Sequence, residues 1–461
     1  MNRLTTLAST AVFLSALNGT AGEKPNIIVF LTDDHGYADI GAQGILNDLK
    51  TPHLDRLANE GVRFTSGYVT APISGPSRVG LVTGRYQQRM GMETHTDLPF
   101  VRDDVPFPER LRKAGYRTGM VGKLHLPLKG EAQENPENWG FDEFSMKAPV
   151  FQVHPNRRFT THSPEGEKFP VPKWMEFEEY RLDASTRFAT QFIERNHKKP
   201  FLLYVAYFGP HAPLEAPEKY LSRFPDVTPA ARRYALAMIS AIDDGVGAVV
   251  DKLKQHGIDD NTLIFFLGDN GAPQEPEHAD ITVSIDNLKR WDGSLNTPMT
   301  GEKDMLSEGG IRVPFLARWP KGFPAGQVMD TPVSSLDIAA TAVTLGGGNI
   351  RGLDGENLIP LLKGNPLNRD ALFWKFAGQT AVRQGDWKLI KTRDYGPYLF
   401  NLKDDPEERE NLIKKHPEKA AELEKLLAGW YAEMPGGTVK DGQYGWDNTL
   451  YRRYFSDVSQ E

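Results

Sequence analysis

The chain has 461 residues, 39% of them hydrophobic and 25% charged, with a formal net charge of −7. These values suit a globular protein with a large core and two unequal units. The acidic balance argues against nucleic acid as a partner and leaves any anionic ligand to a local basic pocket. With no cysteine present, disulfides, thiolate metal sites and a cysteine nucleophile are excluded.

Residues 1–22 read as an export signal: Arg3 opens it, Leu7 to Leu17 is apolar, and small residues at Gly19-Thr20-Ala21 precede Glu23 and Lys24. The apolar run is too short to span a membrane, and no later stretch approaches the needed length, so stable membrane insertion is not expected. The reading is an exported protein, periplasmic or secreted.

From Asn26 strands and helices alternate. Asn26 to Thr32 is a continuous apolar run suited to a strand buried on both faces. Thr51-Pro52 starts a helix, with Thr51 as cap and Pro52 in the first turn. A helix over Pro108 to Ala114 leads into a strand from Arg117 to Val121. The same alternation pairs Ala184–Asn196 with Phe201–Tyr207, and Pro229–Gln255 with Thr262–Leu267. Val313 to Trp319 and a helix over Ser335 to Leu345 extend it. The predicted fold class is therefore α/β, a mainly parallel central sheet with helices on both faces, over residues 23–346.

After Gly346 the texture changes. Ala371–Phe376, Thr380–Lys391 (broken by the turn Gln384-Gly385-Asp386) and Pro397–Leu402 read as strands, followed by a helix over His416–Met434. Residues 347–461 are thus expected to form a small antiparallel sheet with a covering helix. Glu131–Trp174 and Pro273–Asn296 are irregular insertions of the kind that carry specificity.

Ligands of open parallel sheets bind beyond the carboxyl ends of the strands. Asp33 and Asp34 follow the first strand there, Lys123 and His125 the Arg117 strand, His211 the Phe201 strand, and Asp269 and Asn270 the Thr262 strand. Each alone has a bland reading: paired Asp residues and Asp-Asn-Gly form turns, a lone His packs, a lone Lys is solvated. Their shared placement at strand ends speaks against coincidence. Three carboxylates and an amide oxygen form a hard oxygen site suited to Ca²⁺ or Mg²⁺. Arg78, Lys123, Lys303 and two histidines add cationic groups for a tetrahedral oxyanion.

A last motif is Ser74-Gly75-Pro76-Ser77-Arg78, running on to Thr83-Gly84-Arg85, in which a Pro-bearing turn presents Ser74. With Leu31-Thr32-Asp33-Asp34-His35-Gly36, Thr51-Pro52-His53-Leu54-Asp55, Gly122-Lys123-Leu124-His125, Pro210-His211-Ala212-Pro213, Gly268-Asp269-Asn270-Gly271 and Lys303 with Glu308-Gly309-Gly310-Ile311-Arg312, the chain resembles the formylglycine-dependent sulfatases of the alkaline-phosphatase-like superfamily. One departure is Leu124, where an aromatic is usual.

The resemblance implies that Ser74 is oxidised to formylglycine (3-oxoalanine) by a maturation enzyme, a serine here pointing to a prokaryotic, oxygen-independent one. The aldehyde hydrates to a diol, one oxygen attacks sulfur, and sulfate is then eliminated. It further implies one metal ion, Ca²⁺ by expectation, held by Asp33, Asp34, Asp269, Asn270 and the modified Ser74. Arg78 and Lys123 orient the diol, His125 is the base for elimination, and His211 and Lys303 contact sulfate, one of them protonating the leaving alcohol. The expected substrate is a sulfated carbohydrate, with Glu93, His95, Arg102 and Asp103 either contacting sugar or lying at the surface, the latter preferred. Two other readings remain: a phosphoester hydrolase using Ser74 directly, and a non-catalytic glycan-binding protein on the same fold.

Overall fold

The computed structural model describes residues 24–95, 97, 105–126, 129, 135–146, 160–162, 179–212, 214–274, 293–435 and 449–455. The expected export segment, Arg102, Asp103 and much of both insertions lie outside them.

The first half of the chain contributes strands β1 (Asn26–Asp33), β2 (Val62–Phe64), β3 (Gly67–Tyr68), β4 (Arg117–Gly122), β5 (Glu143–Met146), β6 (Thr160–His162), β7 (Phe201–Pro210) and β8 (Thr262–Gly268). The rest contributes β9 (Phe315–Arg318), β10 (Gln327–Met329), β11 (Val333–Ser334), β12 (Leu372–Phe376), β13 (Gln379–Gln384), β14 (Trp387–Lys391) and β15 (Tyr398–Asn401). The central sheet has nine strands in the order β10-β2-β9-β8-β1-β7-β4-β5-β6. β8, β1, β7, β4 and β5 run parallel, while β9 and the edge strand β6 run antiparallel to their neighbours. The fold is the expected α/β class.

Alternation of side chains along a strand sorts the central residues between two cores. Ile27, Val29 and Leu31 enter one, together with Leu202, Tyr204 and Ala206 of β7. Ile28, Phe30, Leu203, Val205 and Tyr207 enter the other. The helices Arg181–Asn196 and Ala230–Gln255 cover the second face through residues such as Phe192, Ile239 and Val246. The first face is covered by Ser74–Thr83, Phe107–Lys113 and Leu336–Leu345. A strand buried on both sides needs apolar residues at every position, which is why β1 reads as an unbroken run.

One local expectation is corrected. Thr51 does not cap the helix Pro52–Asn59; its hydroxyl donates to Asp55 (3.0 Å) and accepts from the Gly41 N–H (2.7 Å). The cap comes from the long helix instead, where Asp243 accepts from the N–H groups of His53 (3.1 Å) and Leu54 (2.8 Å). A carboxylate on free N–H groups satisfies both the orphan donors and the helix dipole.

The carboxy-terminal strands β12–β15 form an antiparallel meander. Val382, Leu389 and Leu399 face the helix Pro417–Ala432, which presents Leu423, Leu427 and Trp430. Ala381, Ile390, Tyr398 and Phe400 face the main core, joined by Tyr451 and Phe455 of the helix Thr449–Phe455. That last helix is a finding of the structure, as are the short strands β2, β3, β10 and β11.

The two sheets are also joined by buried charge. Lys388 of β14 lies 2.7 Å from Glu308 and 2.9 Å from Glu408, with all three side chains fully buried. Glu308 also accepts from Tyr68 (2.6 Å) and Arg312 (3.1 Å). Burial would raise Glu308, but Lys388, Arg312 and Arg383 overcome it and hold the carboxyl down to about 2. Replacing Lys388 by Met would remove the cation that lies between two buried carboxylates and should cost about 3–5 kcal/mol in chemical unfolding; a loss below about 1 kcal/mol would show that the pair needs no lysine.

Candidate active site

The strands that carry the candidate residues, β8, β1, β7 and β4, are immediate neighbours and parallel. Their carboxyl ends therefore open on one side of the sheet, side by side. The helix Ser74–Thr83 aims its amino end at the same place, and all ten of its residues are buried. Ser74 is not held in a separate turn: it is the first residue of this helix, with Pro76 inside the first turn, where a missing N–H costs nothing. The helix end brings partial positive charge to a site meant for an anion.

Ser74 Oγ lies 3.0 Å from Asp33 Oδ1, 3.2 Å from Asn270 Oδ1 and 3.4 Å from Lys123 Nζ. Lys123 Nζ donates to both Asp33 oxygens at 2.8 and 2.7 Å. Lys303 Nζ donates to Asp34 Oδ2 at 2.7 Å, and His211 Nε2 stands 3.6 Å from the same oxygen. Asn270 Nδ2 donates to Asp34 Oδ1 at 2.6 Å. Arg78, wholly buried, donates from Nε to Asp269 Oδ2 at 2.8 Å and from Nη1 to the Lys123 carbonyl at 2.7 Å. The structure thus gathers Asp33, Asp34, Ser74, Arg78, Lys123, His211, Asp269, Asn270 and Lys303 into one cluster.

His125 lies beside the same helix end, its Nε2 3.6 Å from where a Cβ on Gly75 would stand. Its ring stacks on His95, centroids 4.9 Å apart and planes 14° apart. Burial, with Lys123 and Arg78 adding repulsion, pushes its imidazole down to about 2, so it is neutral. Leu124, between Lys123 and His125, is buried.

Charge is nearly balanced in this cluster. Burial pushes the carboxyls of Asp33 and Asp34 upward, but Lys123 at one and Lys303 at the other, with His211, hold both below the usual range. Asp269 goes the other way, because burial outweighs Arg78. Asp33, Asp34 and His211 offer ligand atoms within 4.8 Å of one another, a spacing that suits a metal ion. With Asp269 and Asn270 the donor set is rich in oxygen, the chemistry of a hard divalent cation. Three carboxylates face three fixed cations, so a divalent ion would leave the pocket net positive.

Of the residues considered for sugar contact, Glu93 is corrected. It is buried and ion-paired with Lys375, so it serves the interior and neither sugar nor solvent. His95 is exposed, as the surface reading expects, with its ring stacked against His125.

With this geometry in hand, likeness to known proteins decides the family. The sequence matches the sulfatase family profile over residues 25–348. The chain belongs to the sulfatase family. A second profile, described as N-sulphoglucosamine sulphohydrolase, C-terminal, matches residues 301–430. The chain is similar to mouse N-acetylgalactosamine-6-sulfatase, 32% identical over 81% of this chain and 73% of the relative. It is similar to an N-acetylgalactosamine-6-O-sulfatase of Bacteroides thetaiotaomicron, 30% identical over 89% of this chain and 94% of the relative. Among solved structures, Ps i-CgsB in complex with k-i-k-neocarrahexaose superposes with a TM-score of 0.78, at 30% identity, covering 95% of this chain and 100% of that one.

This sulfatase's own residues, then, include positions that sequence reading left without a role. Gly75 is one, since a Cβ there would lie 3.0 Å from His95 Nδ1. Glu308 is another, quoted within a motif and now seen as the anchor of the carboxy-terminal sheet. If the oxygen cluster binds a cation, Ca²⁺ or Mg²⁺ at a hundred times its dissociation constant should stabilise the wild type by about 2.7 kcal/mol. The Asp34→Asn variant should lose most of that gain in the same thermal melt, and a wild type indifferent to both ions would refute the assignment.

Proposed function

We propose that this sulfatase hydrolyses sulfate monoesters of a carbohydrate, using a formylglycine made from Ser74 and one Ca²⁺. The observation that carries this reading is the setting of Ser74 Oγ at a buried helix amino end, between Asp33, Asn270 and Lys123. An unmodified serine nucleophile needs a neighbouring base to take its proton. The groups next to Ser74 are a carboxylate held below its usual range, an amide and a cation, which suit holding a metal and an oxyanion better.

When present, the hydrated aldehyde supplies a diol nucleophile, and Ca²⁺ supplies charge to polarise the sulfate. Asp33, Asp34, Asp269 and Asn270 would hold the ion, together with residue 74. Arg78 and Lys123 orient the oxygens at position 74 and offset charge as it develops. Neutral His125 accepts the proton whose loss releases sulfate. His211 and Lys303 both reach Asp34 Oδ2, at 3.6 and 2.7 Å, so they converge where the ester and its leaving oxygen would lie. One of them returns a proton to the alcohol.

The carbohydrate substrate draws support from relatives named for N-acetylgalactosamine-6-sulfate hydrolysis and from the oligosaccharide bound by Ps i-CgsB. An exported, periplasmic enzyme is consistent with the amino-terminal composition.

Ser74→Ala should abolish turnover of an aryl sulfate while leaving the unfolding midpoint close to wild type. In the native host, the peptide containing Ser74 should be lighter by about two mass units, from loss of two hydrogens. Sustained sulfatase activity in Ser74→Ala, or faster hydrolysis of an aryl phosphate than of the matching sulfate by the wild type, would reject the proposal.

A further inference from the structure

His125 is held in an unfavourable backbone conformation. Its φ is 51°, in the left-handed region that residues with a Cβ seldom enter. Backbone strain of this kind persists only when surrounding contacts over-determine it. The ring of His95 supplies one such contact, stacked nearly parallel at 4.9 Å.

His95 is exposed, but the backbone on either side of it is held. The Asp97 carboxylate accepts from the N–H groups of Glu93 (2.9 Å) and Thr94 (2.8 Å) and from the Thr94 hydroxyl (3.1 Å). Glu93 pairs with Lys375 of β12, and the Lys375 ammonium lies 4.4 Å from the centroid of the Tyr431 ring. A continuous chain of contacts therefore runs from the carboxy-terminal sheet and its helix, through Lys375 and Glu93, to the His95 backbone. The space for the ring comes from Gly75. A Cβ there would stand 3.0 Å from His95 Nδ1 and 3.6 Å from His125 Nε2, and its backbone is ordinary helix, so the glycine serves clearance and not turn geometry.

We propose that His95 is a positioning residue: stacked in the space left by Gly75, it fixes the ring plane of His125 for proton transfer. This inference rests on the sulfatase reading for its catalytic consequence, but the ring packing does not. A base displaced by a fraction of an ångström from its proton loses rate, while affinity for the ester, set by Lys303, His211 and the metal, is left alone.

Two readouts test it. In the matured enzyme, His95→Ala should lower kcat for an aryl sulfate about ten- to a hundredfold, with KM within about twofold of wild type. His95→Phe, which keeps a flat ring against His125, should restore most of kcat. In the unmatured protein, diethyl pyrocarbonate should modify His125 several-fold faster in His95→Ala than in wild type, read by mass spectrometry of the His125 peptide. His95→Phe should return that rate to the wild-type value, and Gly75→Val, which crowds His95 out, should raise it.

Unchanged kcat and unchanged His125 modification in His95→Ala would overturn the proposal. So would a His95→Phe variant no better than His95→Ala in both assays. A wild type that turned over no sulfate ester would instead sink the sulfatase mechanism, and the modification rates would still decide whether His95 holds the ring.

Discussion

The Arg78 guanidinium ties three strand ends together, and the site depends on it. It reaches Asp269 beyond β8, the Lys123 carbonyl beyond β4 and, at 3.6 Å, Asp33 at the end of β1. A fully buried arginine is tolerable only with its charge matched and its donors used. Here burial works against its protonation, and Asp269 and Asp33 outweigh it, so the charge is fixed. The same contacts place the amino end of the Ser74 helix against the strands. A cation between acids thus does two jobs: it sets distances among the strand ends, and it favours the charged forms of Asp33 and Asp269 against burial. The cost of burying these charges is met by the cores on both faces of the sheet, which hold the strand ends where water cannot compete.

The carboxy-terminal sheet belongs to this arrangement more than its separate hydrogen bonding suggests. Gln379 of β13 accepts from the Leu306 N–H (3.0 Å) and donates to the Asp304 carbonyl (2.8 Å), and Tyr451 also accepts from the Leu306 N–H (3.0 Å). These bonds grip the segment that carries Lys303, whose neighbour Asp304 has φ 77°. A few residues on, Glu308 is gripped by Lys388. Lys375 likewise grips Glu93. Two segments beside the site are therefore held from the same small sheet. Changes in β12–β14 are expected to reach the site as displacement, because packed interiors transmit shifts and do not absorb them.

Much of this was legible in the sequence, for a physical reason. A strand buried on both faces requires an unbroken apolar run, and polar residues directly after such runs have few places to be except the open end of a parallel sheet. Asp33, Asp34, Lys123, His125, His211, Asp269 and Asn270 were all placed that way. What was illegible depended on partners distant in the chain. The strands β3 and β11 are two residues each and pair with one another from distant parts of the chain. Glu93 carries no local mark of burial, since its reason is Lys375. Thr51 has the composition of a cap, but Asp243, on a helix far along the chain, reaches the helix N–H groups first. Local rules name the residue types a role needs, and tertiary contacts decide which candidate fills it.

The adjacent pair Asp33-Asp34 shows how the backbone resolves a conflict in that logic. Successive side chains on a strand point to opposite faces, so two consecutive acids cannot both serve one site from regular β structure. The pairing of β1 with β7 loses regular register between Leu31 and Asp33, and Asp34 turns out of the strand with φ 56°. That turn swings the second carboxylate back toward the first, where Asn270 and Lys303 receive it. The Asp34 N–H is meanwhile taken by Asp269 Oδ1 at 3.1 Å, which holds the strained residue in place. Asp tolerates the left-handed region better than most residues because its short side chain finds local hydrogen bonds. The choice of Asp at this position therefore answers two demands at once, an oxygen ligand and a residue able to make the turn. A longer acid at position 34 would keep the charge but would meet the turn less well and overreach the ligand cluster, so the pair is constrained by backbone geometry as much as by the ion it is placed to hold.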